Sequence, residues 1–217
     1  GKTSEHLCID FHGRAPLNAT ADMYSDKVLG RLRGDLWHLE GNINAIGPLA
    51  VACPGNLMGY WELHRRFGRM SWKEVMQPAI DLARDGFVLG EELAETWSPT
   101  AASSQSALPS MWDYINATTD GLRIFGNNGK GWKAGDLFTN QDYSNTLNEI
   151  ADHGPDVFYQ GWIAELIAKN FADNGGLLDA EDLRQYRASI TDPLSAIYQG
   201  YTVSANQPPS SGVQVLE

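Results

Sequence analysis

Two cysteines in 217 residues, Cys8 and Cys53, are too few for a disulfide framework, although a single bridge between them stays open. Long apolar runs are missing as well. None approaches the roughly 20 residues of a membrane-spanning helix, and the opening residues carry no signal-peptide pattern. Positive charge is scarce: 16 bases face 27 acids, for a net charge of −11. That balance excludes the basic footprint of a nucleic-acid surface and disfavours anionic membranes, so neither is expected as a partner. Internal repeats and low-complexity tracts are also absent. What is present is 42% hydrophobic residues and seven tryptophans, enough for one sizeable folded core.

The most ordered stretch runs from Val51 to Leu89. Pro54-Gly55 opens a helix in which Leu57, Tyr60, Trp61, His64 and Phe67 recur at helical spacing, and Gly68 ends it. Ser71, with Glu74 three residues on, forms a capping box for a second helix. Its apolar stripe is Trp72, Val75, Met76, Ala79, Ile80 and Ala83, and Gly86 sits at a left-handed C-cap position. Pro78 lies inside this pattern. An interior proline costs on the order of 3 kcal/mol, but the apolar spacing continues past it, which predicts one kinked helix rather than two.

The remainder reads more loosely. Residues 4–11 suggest a strand, 17–29 a short helix or ordered loop, and 30–44 an irregular surface loop around Trp37. A short helix over 91–97 precedes a Ser/Ala/Pro-rich loop over 98–110 and a brief aromatic segment at 112–116. Strand pieces at 121–125 and 136–138 flank the glycine-rich turn Gly126 to Gly131. Helices follow near 140–153, with Tyr143, Leu147, Ile150 and Ala151 inward, and near 161–173, with Ile163, Leu166, Ile167 and Phe171 inward. Asp179, with Asp182, caps a short third helix. Gln199-Gly200 joins strands 194–198 and 201–205 as a two-residue hairpin, and Val213 begins a further element. The class is α+β, with a helix-rich middle and a β-rich C-terminal end, and residues 1–217 read as one partial domain. Gly1-Lys2-Thr3 reads as the interior of a longer sequence or a cloning remnant, and Leu216-Glu217 is open to a vector origin.

Few residues carry chemistry unaided. His6, Cys8, Asp10 and His12 alternate along the first strand, but neighbours two apart stand roughly 6.5–7 Å from each other, too far for all four to meet one ion. No metal site and no cofactor are expected. Arg14 sits in the loop after that strand, where an arginine can grip a carboxylate through two parallel hydrogen bonds. The two serines of the Pro208–Gly212 turn lack the surroundings of a nucleophile elbow, so Ser210 is not expected to attack. The Gly126–Gly131 turn lacks the parts of a phosphate loop and reads as a hairpin connection. His64 reads as a satisfied core or helix-end histidine. Asn18 and Asn116 each head an acceptor triplet for glycosylation, a match too common to weigh. No nucleophile–base pair can be assembled, so no catalytic residue is assigned.

Four segments, in order, resemble the large subunit of the γ-glutamyltransferase (γ-glutamyltranspeptidase) family. They are the run Ile9 to Pro16 (IDFHGRAP), the two central helices with PG, LHxxFGxxxW and QPAIxLARxGF, the run Ile150 to Gly161 (IADHGPDVFYQG), and Gly175 through Asp182 and Tyr186 to the PPSSG turn. The resemblance implies a fragment of the four-layer αββα sandwich of N-terminal-nucleophile hydrolases. It also implies a precursor that cleaves itself before a threonine, whose own amine then serves as base for its hydroxyl. No threonine here matches that processing motif, so the nucleophile is expected in a small subunit from the same precursor.

From this chain the resemblance implies a substrate-binding role for Arg14 and His12. The family's carboxylate-holding arginine falls at His12, whereas Arg14 matches a branch with a Gly-Arg-Ala-Pro pattern that resembles amidohydrolase-type members. Three functions remain open: γ-glutamyl transfer or hydrolysis with glutathione-type substrates, hydrolysis of another small acyl amide, and a non-catalytic binding or structural module. Compartment is left open between cytoplasm and periplasm or exterior.

Overall fold

Local chemistry sets most element boundaries in the computed structural model, which describes residues 5–32, 37–101 and 109–217. The first strand, β1 (Cys8–Asp10), is shorter than its sequence suggests, and Ser4 lies outside the described residues. Next come β2 (Val28–Arg31) and β3 (Trp37–Leu39), paired antiparallel with Arg31 opposite Trp37. The Arg31 guanidinium carbon stands 4.4 Å from the centroid of the Trp37 ring. This pair corrects the expectation of an irregular loop over 30–44, of which residues 33–36 lie outside the described set. β2 (VLGR) does not alternate apolar with polar residues, and β3 (WHL) does so over only three, too short a run to announce the pairing.

Helix α1 (Asn56–Phe67) ends where the Gly68 N–H donates to the His64 carbonyl. Helix α2 (Trp72–Asp85) starts with the expected capping box: the Glu74 N–H donates to Ser71 Oγ at 3.3 Å, and the Ser71 N–H to Glu74 Oε2 at 2.7 Å. It runs through Pro78 without a break. Gly86 has φ +88, as a terminating glycine should, but its ψ of 173 is extended rather than left-handed helical. A Cβ there would come within 2.6 Å of the Phe138 carbonyl oxygen. That clash and the positive φ both demand glycine.

The short strand β4 (Phe87–Val88) precedes α3 (Glu91–Thr96), α4 (Met111–Asn116) and α5 (Thr119–Ile124). Residues 102–108 of the expected Ser/Ala/Pro-rich loop lie outside the described residues. The strand expected over 121–125 is α5 instead. Thr118 Oγ1 accepts the Gly121 N–H at 2.9 Å as a helix cap, and Phe125 turns into an aromatic cluster with Trp97 and Phe138. The glycine-rich turn therefore joins a helix to β5 (Leu137–Phe138) and is no hairpin connection. β5 pairs antiparallel with β4.

Helices α6 (Gln141–His153), α7 (Asp156–Tyr159), α8 (Trp162–Asp173) and α9 (Ala180–Gln185) follow, the last with the Asp179–Asp182 capping box. α6 lies against α2. Trp72 Nε1 donates to the Ile150 carbonyl at 3.1 Å and Ser144 Oγ to the Ile80 carbonyl at 3.2 Å. Ile80 is fully buried against Leu147 and Ala151, with Met76 and Ala83 beside it. Burial contributes about 1.5–3 kcal/mol for a large aliphatic side chain such as Ile80, which offsets much of the proline's cost.

Several residues read as inward are exposed: Tyr60, Phe67 and Val75, Tyr143 on α6, and Leu166 on α8. On α6 the buried neighbour is Ser144, which hydrogen-bonding admits to the core. Three of the exposed residues, Tyr60, Val75 and Tyr143, lie along one groove of about 760 Å³ between α1, α2 and α6.

The C-terminal part holds β6 (Ser189–Thr191), antiparallel to β1, and the hairpin β7 (Leu194–Tyr198) and β8 (Tyr201–Ala205). Gln199 and Gly200 both take positive φ, 49 and 84, the geometry a two-residue hairpin requires. Helix α10 (Gly212–Leu216) closes the described chain.

Candidate functional site

The loop after β1 is held from three sides. Pairing with β6 fixes β1 itself. Beyond it, the Cys53 N–H donates to the Arg14 carbonyl at 2.7 Å and the Arg14 N–H to the Cys53 carbonyl at 3.2 Å, tying the loop to the segment before α1. From the end of α9, Tyr186 Oη donates to the His12 carbonyl at 2.8 Å, and Asp182 Oδ1 accepts the Leu17 N–H at 2.6 Å.

Tyr186 stacks on Tyr159, with ring centroids 5.7 Å apart and planes 13° from parallel. Tyr159 Oη in turn donates to the Pro54 carbonyl at 2.9 Å and accepts the Met58 N–H at 3.3 Å. Burial pushes both phenols above the ordinary tyrosine range. It also raises the Cys53 thiol to about 11, the Asp182 carboxylate adding to the effect, and Cys53 Sγ donates to the Asp182 carbonyl. Gly55 completes this packing. A Cβ there would lie 1.9 Å from Tyr186 Oη and 2.2 Å from the Phe11 carbonyl oxygen.

These supports frame a cavity of about 320 Å³ between β1, the first residue of α1 and the turn after β8. Among the described residues its polar lining is Asp10, His12, Asn56, Asn206, Gln207 and Ser210, with no lysine or arginine. The Asp10 carboxylate accepts twice from one residue, from the His12 N–H at 3.0 Å and from His12 Nδ1 at 2.9 Å. The backbone bond first, then the ring bond, holds the Asp10 carboxyl below the ordinary carboxylate range. An ionised carboxylate only accepts, so Nδ1 is the donor in this contact, in the neutral ring and in the imidazolium alike.

The two residues assigned to substrate binding therefore divide. His12 lines the cavity. Arg14 does not: its Nη2 donates to the Arg187 carbonyl at 3.0 Å, and its guanidinium carbon lies 5.3 Å from the Tyr186 ring centroid. Ser210 reaches the cavity that holds Asp10 and His12, but its hydroxyl donates to the Gln207 carbonyl at 3.1 Å, so no serine–histidine relay forms.

Cys8 and Cys53 are both free thiols. The alternation expected from His6 to His12 stops early because β1 begins only at Cys8, and His6 lines a neighbouring apolar groove instead. Among the described residues no three His, Cys, Asp or Glu side chains gather as a metal site. His64 bonds the Met70 carbonyl at 2.9 Å and packs on Trp61 and Trp72, a satisfied helix-end histidine. Sequence reasoning missed the roles of Tyr186, Tyr159 and Gly55. The Asp-x-His spacing of Asp10 and His12 was the one local signal for the pair in the cavity.

A helix-rich chain with a β-rich end, a loop braced by a tyrosine stack and a polar cavity shared with the C-terminal turn has the fold of part of an N-terminal-nucleophile hydrolase. The closeness is measurable. γ-Glutamyltranspeptidase from Helicobacter pylori superimposes with a TM-score of 0.81 at 29% identity, covering 97% of this chain and 55% of that one. A structure of the Pseudomonas nitroreducens γ-glutamyltranspeptidase complexed with L-DON gives 0.72 at 31% identity, over 94% of this chain and 54% of that one.

Among curated relatives, the glutathione hydrolase proenzyme of Escherichia coli K12 is 35% identical over 99% of this chain and 35% of its own length. The acylase ACY 1 proenzyme of Pseudomonas sp. strain SE83 is also 35% identical, over 98% of this chain and 36% of its own. The family model for γ-glutamyltranspeptidase matches residues 1–217. The chain belongs to the γ-glutamyltranspeptidase family. It spans about a third of the length of the curated relatives it matches.

Proposed function

We propose that this chain is one portion of an autoprocessed enzyme that hydrolyses or transfers γ-glutamyl amides of the glutathione type. The observation that carries the reading is the family match over the whole chain, with relatives named as glutathione hydrolase proenzymes. The nucleophile comes from outside these residues: an N-terminal threonine hydroxyl attacks the amide carbonyl while its own amine takes the proton. That proton passes to the leaving nitrogen as the C–N bond breaks, so the amine product departs and an acyl-enzyme ester remains. Water or a second amine then receives the acyl group. The loop of His12 and Arg14 forms part of the acyl group's surroundings, His12 from the cavity wall and Arg14 through the loop it braces. The remainder of the precursor covers the apolar groove in which Tyr60, Val75 and Tyr143 stand exposed.

One observation favours a second reading, an acylase for another small acyl amide. No arginine or lysine among the described residues lines the cavity, and an acylase relative is as similar as a glutathione hydrolase. Assay of the complete, processed protein on γ-glutamyl-p-nitroanilide and on glutaryl- and oxamate-type amides separates the two. Release of p-nitroaniline from the γ-glutamyl compound is the expected result. Release only from the other amides selects the acylase, and no release from any of them returns the chain to a non-catalytic module.

A further inference from the structure

His12 offers two ring nitrogens, and the structure uses one. Nδ1 faces Asp10 Oδ1 at 2.9 Å while the same oxygen takes the His12 N–H at 3.0 Å, so the residue is gripped by side chain and backbone together. Tyr186 Oη fixes the His12 carbonyl from the opposite side. The His12 side chain is nonetheless 59% exposed, and Nε2 has no protein partner among the described residues. Arg14, the neighbouring cation, is turned onto Tyr186 and the Arg187 carbonyl.

We propose that Asp10 is a positioning residue for His12, locking the ring so that Nε2 is the group this loop offers to a substrate, while Arg14 braces the loop. In the neutral ring, with the proton held on Nδ1, Nε2 can only accept a hydrogen bond. The partner it suits is a donor on the acyl group: an ammonium, an amide N–H or a hydroxyl. The rest of the cavity agrees, because among the described residues Asp10 supplies the one fixed charge there and Asn56, Asn206 and Gln207 supply amides. With His12 neutral, a cavity of this chemistry repels a lone carboxylate and favours an acyl group that carries a donor beside it. This deepens the acyl-transfer reading and rests on it for the substrate's identity, but not for the state of the ring.

Two measurements on the complete, processed protein test it. The first compares kcat/KM for γ-glutamyl-p-nitroanilide with that for glutaryl-p-nitroanilide, which lacks the amino group. His12→Leu and Asp10→Ala each reduce the wild-type preference for the γ-glutamyl compound by roughly tenfold, the worth of one charge-assisted hydrogen bond. Asp10→Asn, whose amide oxygen still accepts from Nδ1–H, retains most of it. Asp10→Ala adds nothing once His12 is leucine. An equal loss from Asp10→Ala in both backgrounds overturns the proposal.

The second measurement is the nitrogen-15 spectrum of the His12 ring above its titration. It shows the Nδ1–H tautomer in the wild type and a mixture in Asp10→Ala, and a tautomer indifferent to Asp10 overturns the proposal. A wild-type protein that cleaves neither of these amides, nor the oxamate-type ones, defeats the acyl-transfer reading, and the spectrum alone then decides the role of Asp10.

Discussion

Gly55 is where the geometry tolerates least. Its α-carbon faces both Tyr186 Oη and the Phe11 carbonyl, and a Cβ would overlap both. Gly55→Ala must displace either the phenol that holds His12 or the strand that carries Asp10. We expect a loss of about 1–3 kcal/mol in urea unfolding, the usual cost of forcing an extra carbon into packed structure. Cys53 makes a prediction of opposite character. Its thiol is 2% exposed and pushed up to about 11, against about 8.5 for a free cysteine. The native thiolate is therefore scarce at pH 8.5, and iodoacetamide should spare Cys53 until the protein is unfolded in urea. The sign of the stability effect follows. A thiol pKa raised by folding contributes stability that is intact below the unfolded value and is lost as pH rises towards 11. Mass mapping that finds Cys53 alkylated in folded protein at pH 8.5 would contradict this account.

Elements whose signals are local were legible before the fold was known. Ser71 with Glu74, Asp179 with Asp182 and Gln199 with Gly200 each specify an end or a turn within four residues, and the structure carries all three. Elements fixed by distant partners were not. β2 pairs with β3 without alternation of its own, and 121–125, which reads as a strand, is a helix because Thr118 caps it and Phe125 joins the aromatic cluster. The site divides in the same way. The loop from Asp10 to Pro16 was visible, but Tyr186 and Arg187, far along the chain, draw Arg14 away from the cavity and leave His12 in it.

The α2–α6 contact gives this scale its test. Leu147→Ala opens space beside Ile80 and Ala151 and should cost about 2–5 kcal/mol. Ser71→Ala removes one cap and should cost about 1 kcal/mol. Denaturant midpoints that reversed this order would show that capping, not packing, carries the helix through Pro78.

For the whole molecule the informative surface is the groove between α1, α2 and α6. Val75 is 48% exposed there although it sits on the apolar stripe of α2. Val75→Asp should leave the helices of this chain intact by circular dichroism, since no core contact is lost. In the complete protein it should weaken association between this portion and the rest, because a carboxylate would be buried without a partner. A variant that assembles like the wild type would remove the groove from the interface.

The central claim is a division of labour: this chain braces and lines the acyl site, and the attacking hydroxyl lies elsewhere in the precursor. The most direct measurement is peptide mass spectrometry of the complete, processed protein after reaction with a diazoketone analogue of glutamine. The account predicts a single adduct on a threonine outside residues 1–217. An adduct on Ser210, or on any other side chain of this chain, would contradict it.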